Sequence, residues 1–114
     1  MQKRVVFIVG TLQTGGIERS VTDWCLYLQD HTEWEPAVVC ILKKNGPFQT
    51  VLEEKGIMVE ECKLRQLGFT LRLKKFLKKY NPSVVHSQVA FSMPWQVLAI
   101  VLSGSRKIIF TQQN

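Results

Sequence analysis

The residues best suited to chemistry fall in two short strings. The first is Gly10-Thr11-Leu12-Gln13-Thr14-Gly15-Gly16-Ile17-Glu18, directly after the apolar run Val5–Val9. Glycine has no Cβ, so paired glycines let the backbone approach a ligand closely. A helix starting there would aim its unpartnered first N–H groups and the positive end of its dipole at the same place. Gly15 and Gly16 are therefore candidate backbone ligands for an anion, against the plain alternative of a tight strand-to-helix turn. GxGxxG spacing is not met. GxxxxGK[ST] is matched at Gly10 and Gly15, but Gly16-Ile17 replace the lysine and hydroxyl that contact the γ-phosphate and magnesium, which argues against an NTPase. The second string is His86-Ser87-Gln88. Imidazole and amide can orient a sugar hydroxyl or a phosphate; a hydrogen-bonded structural histidine is the alternative.

A third feature is the basic run Phe69–Tyr80. Leu73, Phe76, Leu77 and Tyr80 share one helical face, and Lys74, Lys75, Lys78 and Lys79 lie off it. With Arg72 they form a cationic surface, and no acid occurs from Lys63 to Tyr80. A solvated outer face on a packed helix is one reading; contact with an anionic membrane surface is the other. Few aromatics are placed to stack on bases, so nucleic acid is not expected as a partner.

The 114 residues carry a net charge of +6, which favours anionic partners without choosing among them. Cys25, Cys40 and Cys62 are far apart and odd in number, so buried free thiols are expected rather than a disulfide framework. No CxxC or Cys/His spacing suggests a metal site, and no cofactor is expected. The basic start leads into too short an apolar run for a signal peptide, and no stretch reaches the roughly 20 apolar residues of a spanning helix. The expected location is the cytoplasm, with the inner membrane face as a peripheral option.

These candidates need elements to position them. Val5–Val9 and Ala37–Leu42 are apolar throughout, as in strands of a parallel sheet covered on both faces, with Gly10 expected to stop the first. Ile57–Glu61 alternates like an edge strand; Ser83–His86 and Lys107–Phe110 complete five strands. Helices are predicted at Gly16–Asp30, around Phe48–Leu52 with Gly56 as the stop, at Leu71–Tyr80 and at Trp95–Leu102, the last with Pro94 near its start. His31–Pro36 has no periodicity and reads as a loop, as does the basic stretch Lys63–Gly68, while Ser87–Ser92 is a loop or the first turn of the next helix. The order βαβαβαβαβ predicts an α/β fold: an open, doubly wound, Rossmann-like parallel sheet, strand order 3-2-1-4-5, helices on both faces, in a single domain spanning residues 1–114. Ligands of such sheets bind at the carboxyl edge, where the strand order reverses.

RVVFIVGTLQTGGIERSV, NPSVVHSQ and KIIFTQQN, in this order and spacing, resemble the N-terminal domain of GT-B glycosyltransferases of family four, a group of retaining, nucleotide-sugar-dependent enzymes. Gly15-Gly16-x-Glu18-Arg19 is the most specific piece, and Pro82-x-Val84-Val85-His86-Ser87 the next. The resemblance implies two Rossmann-like domains facing across a cleft, with this chain an incomplete acceptor-side half. It implies that Gly15 and Gly16 serve the donor's diphosphate. Glu18, His86, Ser87 and Gln88 would bind a glycan or lipid-linked acceptor, and Gln113 would contact the transferred sugar. A C-terminal domain, carrying a glutamate pair and basic residues for the diphosphate, would be the missing partner, so this piece alone is not expected to catalyse transfer. Two positions depart from the family pattern. Gln88 and Gln113 stand where histidine is frequent, and glutamine cannot act as a general base. Two other functions stay open on the residues alone: a non-catalytic Rossmann-like module that holds an anionic ligand, and a peripheral membrane-surface protein.

Overall fold

The structure, a computed structural model, describes residues 3–12, 16–43, 46–63, 66–87 and 107–110. Strands β1 (Lys3–Thr11), β2 (Trp34–Lys43), β3 (Met58–Glu61), β4 (Val84–Ser87) and β5 (Lys107–Phe110) form one parallel sheet in the order β3-β2-β1-β4-β5. Helices α1 (Gly16–His31), α2 (Pro47–Glu54) and α3 (Phe69–Tyr80) lie between them. The expected helix Trp95–Leu102, together with Gly15, Gln88 and Gln113, lies outside the described residues.

The two faces follow from alternation along β1 and β2. Val5, Phe7, Val9, Val38 and Cys40 pack with Val21 and Cys25 of α1 and Leu52 of α2. Val6, Ile8, Ala37, Val39 and Ile41 pack with Phe69, Leu73 and Leu77 of α3. The sheet is thus wound on both sides, as predicted. β3 is an edge strand with Val59 buried and Met58 and Glu60 exposed. Cys25, Cys40 and Cys62 are free and buried. Burial pushes the Cys25 thiol up to about 12; burial and then Glu60 push Cys62 up to about 11.

Several boundaries differ from the expected ones: β4 runs to Ser87, a residue expected in the following loop, and three other shifts have a local cause. β1 runs through Gly10 to Thr11: Val9 pairs with Cys40 and Thr11 with Lys43, so Gly10 faces two residues of β2 at a bulge whose extra residue lies on β2. The expected loop His31–Pro36 is half strand, since β2 starts at Trp34 and Pro36 pairs with Val5. β3 begins only opposite Ala37, so proline's missing N–H falls where one flank of β2 carries no ladder. α3 starts at Phe69, two residues early, after Gly68 takes a left-handed conformation at φ 82 that ends the preceding loop.

Helix ends set the strand entries. Gly56, at φ 77, turns the chain from α2 into β3. Asn81, at φ 56, closes α3 by donating its N–H to the Leu77 carbonyl at 2.7 Å, and Ser83 N–H then meets the Arg4 carbonyl at 2.8 Å, bringing β4 beside β1.

Leu73 is fully buried while Leu71 is 65% exposed. Leu73→Ala should lower unfolding free energy in urea by about 2–5 kcal/mol. Leu71→Ala should stay within about 0.5 kcal/mol of the parent. Equal losses would contradict the orientation of α3.

Candidate functional site

In a parallel sheet all carboxyl ends share one edge. The chain leaves β1 through α1 toward β2, while β4 pairs on the other side of β1, so the strand order reverses between β1 and β4. Crevices for ligands form at such points. Gly16, the first residue of α1, stands on one flank and Ser87, the last of β4, on the other.

A Cβ built on Gly16 would meet nothing within 4 Å, and the residue lies outside the left-handed region. Packing and backbone geometry therefore do not demand glycine at this position. With no side chain of its own, Gly16 does not screen the first N–H groups of the 16-residue helix, and the summed dipole of α1 favours an anion in front of them. Glu18 sits in the same first turn, half-buried, and its carbonyl accepts the Thr22 hydroxyl at 2.7 Å. The carbonyl of Leu12, whose side chain is fully buried, accepts the Phe48 N–H at 3.3 Å, which ties the exit of β1 to the start of α2.

His86 and Ser87 turn to opposite faces of the sheet. Ser87 follows Val85 onto the α3 face and is fully buried. His86 faces α1: its ring centre is 5.5 Å from that of Phe7 and 5.8 Å from that of Trp24, nearly parallel to the indole at 11°. Trp24 comes eight residues after Gly16, about 12 Å along a helix rising ~1.5 Å per residue. The imidazole thus lies well down the α1 face from Gly16, beside a hollow of about 310 Å³ lined by Phe7, Trp24, Tyr27, Leu28 and itself. Burial lowers the pKa of His86 below its ordinary 6.5. Trp24 reads from the sequence as packing alone; its stripe on α1 showed which face it shares, and only the tertiary fold shows that this face meets β4.

On α3, Arg72, Lys75, Lys78 and Lys79 are exposed and Lys74 is half-buried, while Phe69, Leu73 and Leu77 point inward. The basic helix is thus both packed and outward-charged. Leu67 and Leu71, 96% and 65% exposed, stand beside its first turn. Among the described residues no group of three or more His, Cys, Asp or Glu could hold a metal ion, and no helix is long and apolar enough to cross a membrane.

Residues 14–112 match the family model for Glycosyltransferase Family 4. The capsular polysaccharide biosynthesis glycosyltransferase CapH of Staphylococcus aureus is 31% identical over 88 residues, covering 77% of this chain and 24% of that protein. The chain thus spans about a quarter of that relative's length. A glycosyltransferase structure from Rickettsia africae ESF-5 aligns with a TM-score of 0.73 at 21% identity, over 98% of this chain and 30% of that one. MurG of Acinetobacter baumannii aligns at 0.64 and 14% identity, over 95% and 35% of the two chains. At these identities the structural likeness concerns the fold.

The His86 shift gives stability a pH dependence. A folded-state pKa below 6.5 means that the unfolded chain binds the proton first as pH falls. The His86 contribution should be complete above pH 6.5 and decline as pH falls through that value toward the folded pKa. His86→Phe should remove that part of the acid slope in urea titrations. In Trp24→Ala, NMR titration should find the His86 pKa moved back toward 6.5.

Proposed function

The chain belongs to Glycosyltransferase Family 4, and from that premise we propose that it is the incomplete acceptor-side, N-terminal half of a retaining enzyme that moves a sugar from a nucleotide-sugar donor to a glycan or lipid-linked acceptor. The observation that carries this reading is the α1 N-terminus, which opens at Gly16, where an added Cβ would meet no described atom within 4 Å, at the point where the strand order reverses. In the proposed reaction the anomeric C–O bond to the diphosphate breaks and the acceptor oxygen bonds to the same carbon. The leaving nucleoside diphosphate gains negative charge, and the N–H groups of Gly15 and Gly16 stabilise it as fixed dipoles. Glu18, His86, Ser87 and Gln88 belong to the acceptor side, and Gln113 contacts the transferred sugar by hydrogen bonding. The reading needs no cofactor or metal from this half. The remaining donor contacts come from a C-terminal domain, and the location that suits such an enzyme is the cytoplasm.

In the polypeptide that includes that second domain, Gly16→Val should lower kcat/KM by about 100-fold, the scale of one lost oxyanion donor. Its urea midpoint should stay close to the parent's, because a Cβ at that position meets no described atom within 4 Å. Unchanged turnover of the nucleotide sugar would remove the loop from the reaction.

The exposed Leu67 and Leu71 beside Arg72 and Lys75 favour a second role for the same domain, peripheral contact with an anionic membrane. Each cation near such a surface contributes about 1 kcal/mol. Replacing Lys74, Lys75, Lys78 and Lys79 with glutamine should weaken flotation on anionic liposomes at least tenfold, ~1.4 kcal/mol, and leave neutral liposomes unaffected. Binding that ignores both the substitutions and the lipid charge would exclude this contact.

A further inference from the structure

The edge of the sheet opposite Gly16 holds a cavity of about 510 Å³, within the usual range of about 300–1,000 Å³ for small-molecule sites. Its walls come from several layers: Arg4 from β1, Glu35 from β2, Glu60 from β3, and Phe76, Lys79 and Tyr80 from the end of α3. One wall is held rigidly. Arg4 Nε lies 3.3 Å from Glu35 Oε2, Nη1 donates to the Tyr80 carbonyl at 2.8 Å, and the guanidinium lies 5.3 Å from the centre of the Tyr80 ring. The Tyr80 hydroxyl donates to the Glu35 carbonyl at 3.0 Å, and the Phe76 and Tyr80 rings are near-parallel at 7° with centres 5.8 Å apart. Burial, then the Glu35 charge, pushes Tyr80 up to about 12, so its hydroxyl stays a donor across the physiological range.

We propose that this amino-edge cavity is a second binding site, for a neutral saccharide, on the opposite side of the sheet from Gly16. The charges of the lining balance, with Arg4 and Lys79 against Glu35 and Glu60. A phosphorylated or carboxylated ligand would meet two carboxylates there, and a cationic ligand two cations, so neither charge class is favoured. What the lining offers is aromatic surface together with planar hydrogen-bonding groups. The C–H face of a pyranose packs on an aromatic ring, and each hydroxyl both donates and accepts, which suits guanidinium, carboxylate and amide partners side by side. Lys79 and Glu60 are exposed on two different layers and are the groups left to close on a ligand once Arg4 and Glu35 are engaged with each other. The site uses none of the residues assigned to transfer, so it stands or falls independently of that reaction.

The test is ¹H–¹⁵N NMR of the full chain titrated with lactose, maltose, cellobiose and chitobiose, with inorganic phosphate as the charged counter-probe. At least one disaccharide should shift the amides of Gly56, Glu60, Lys79 and Tyr80 and leave Gly16 unmoved. The double variant Glu60→Gln/Lys79→Ala, which alters two exposed side chains, should bind about tenfold more weakly, the scale of a lost charge-assisted hydrogen bond. Met58→Trp, at a half-exposed position in the lining, should abolish the shifts by filling the space. No shift with any disaccharide, shifts centred on Gly16, shifts indifferent to both variants, or a response to phosphate alone would each overturn the proposal.

Discussion

The whole arrangement depends on a strand that water cannot reach from either side. Val5 to Val9 are each between 0 and 6% exposed, five residues in a row. A strand buried on one face needs a polar residue at every second position; this one has none. Both faces must be covered, and both backbone edges must be paired, because an unpaired buried N–H or C=O is expensive. β2 and β4 supply the edges, α1 and α2 one face, and α3 the other. Fully burying a Val, Ile or Phe side chain stabilises by about 1.5–3 kcal/mol, so five in a row make this strand a large contributor to the fold.

From that burial follows the polarity of the molecule. Parallel strands joined by helices send every helix N-terminus toward the carboxyl edge and every helix C-terminus toward the amino edge. Partial positive charge collects at the first edge and partial negative charge at the second. Side chains respect this division. Gly16 and Glu18 open α1, whereas Lys78 and Lys79 close α3 and Arg4 bonds the last carbonyl of that helix, Tyr80. The backbone field thus favours negative charge at one edge, while at the other the basic side chains are drawn toward helix carbonyls and carboxylates.

Strand order, winding and the buried thiols were legible because they rest on patterns that repeat over many residues, such as apolar runs and helical stripes. Boundaries rest on single residues, and there tertiary context prevails. Gly10 breaks a local pattern, but the neighbouring strand accommodates it through a bulge. Pro36 removes a donor, but from a flank where β3 has not yet begun. Gly68, in the left-handed region, is the N-cap of α3, which therefore begins at Phe69, earlier than its apolar stripe suggests. The placement of Gly16 at the edge where strand order reverses was legible for the same reason as the sheet; the partner of His86 was not. That contact joins positions 24 and 86, which no local pattern connects.

Alternation along β4 constrains what the adjacent polar residues can do together. His86 and Ser87 are neighbours in sequence yet serve different layers, so they cannot form one continuous wall by themselves. The imidazole stacks on Trp24 and packs at a tilt against Phe7, and burial there favours its neutral form. A neutral imidazole has one donor and one acceptor nitrogen and adds no charge. The imidazole therefore brings no countercharge to the β1–β4 crevice, and among the described residues the start of α1, with its helix dipole, is the feature there that favours negative charge. The uncluttered glycine and the buried neutral histidine are in that sense complementary: the backbone supplies the field, and the aromatic layer holds the helix that carries it.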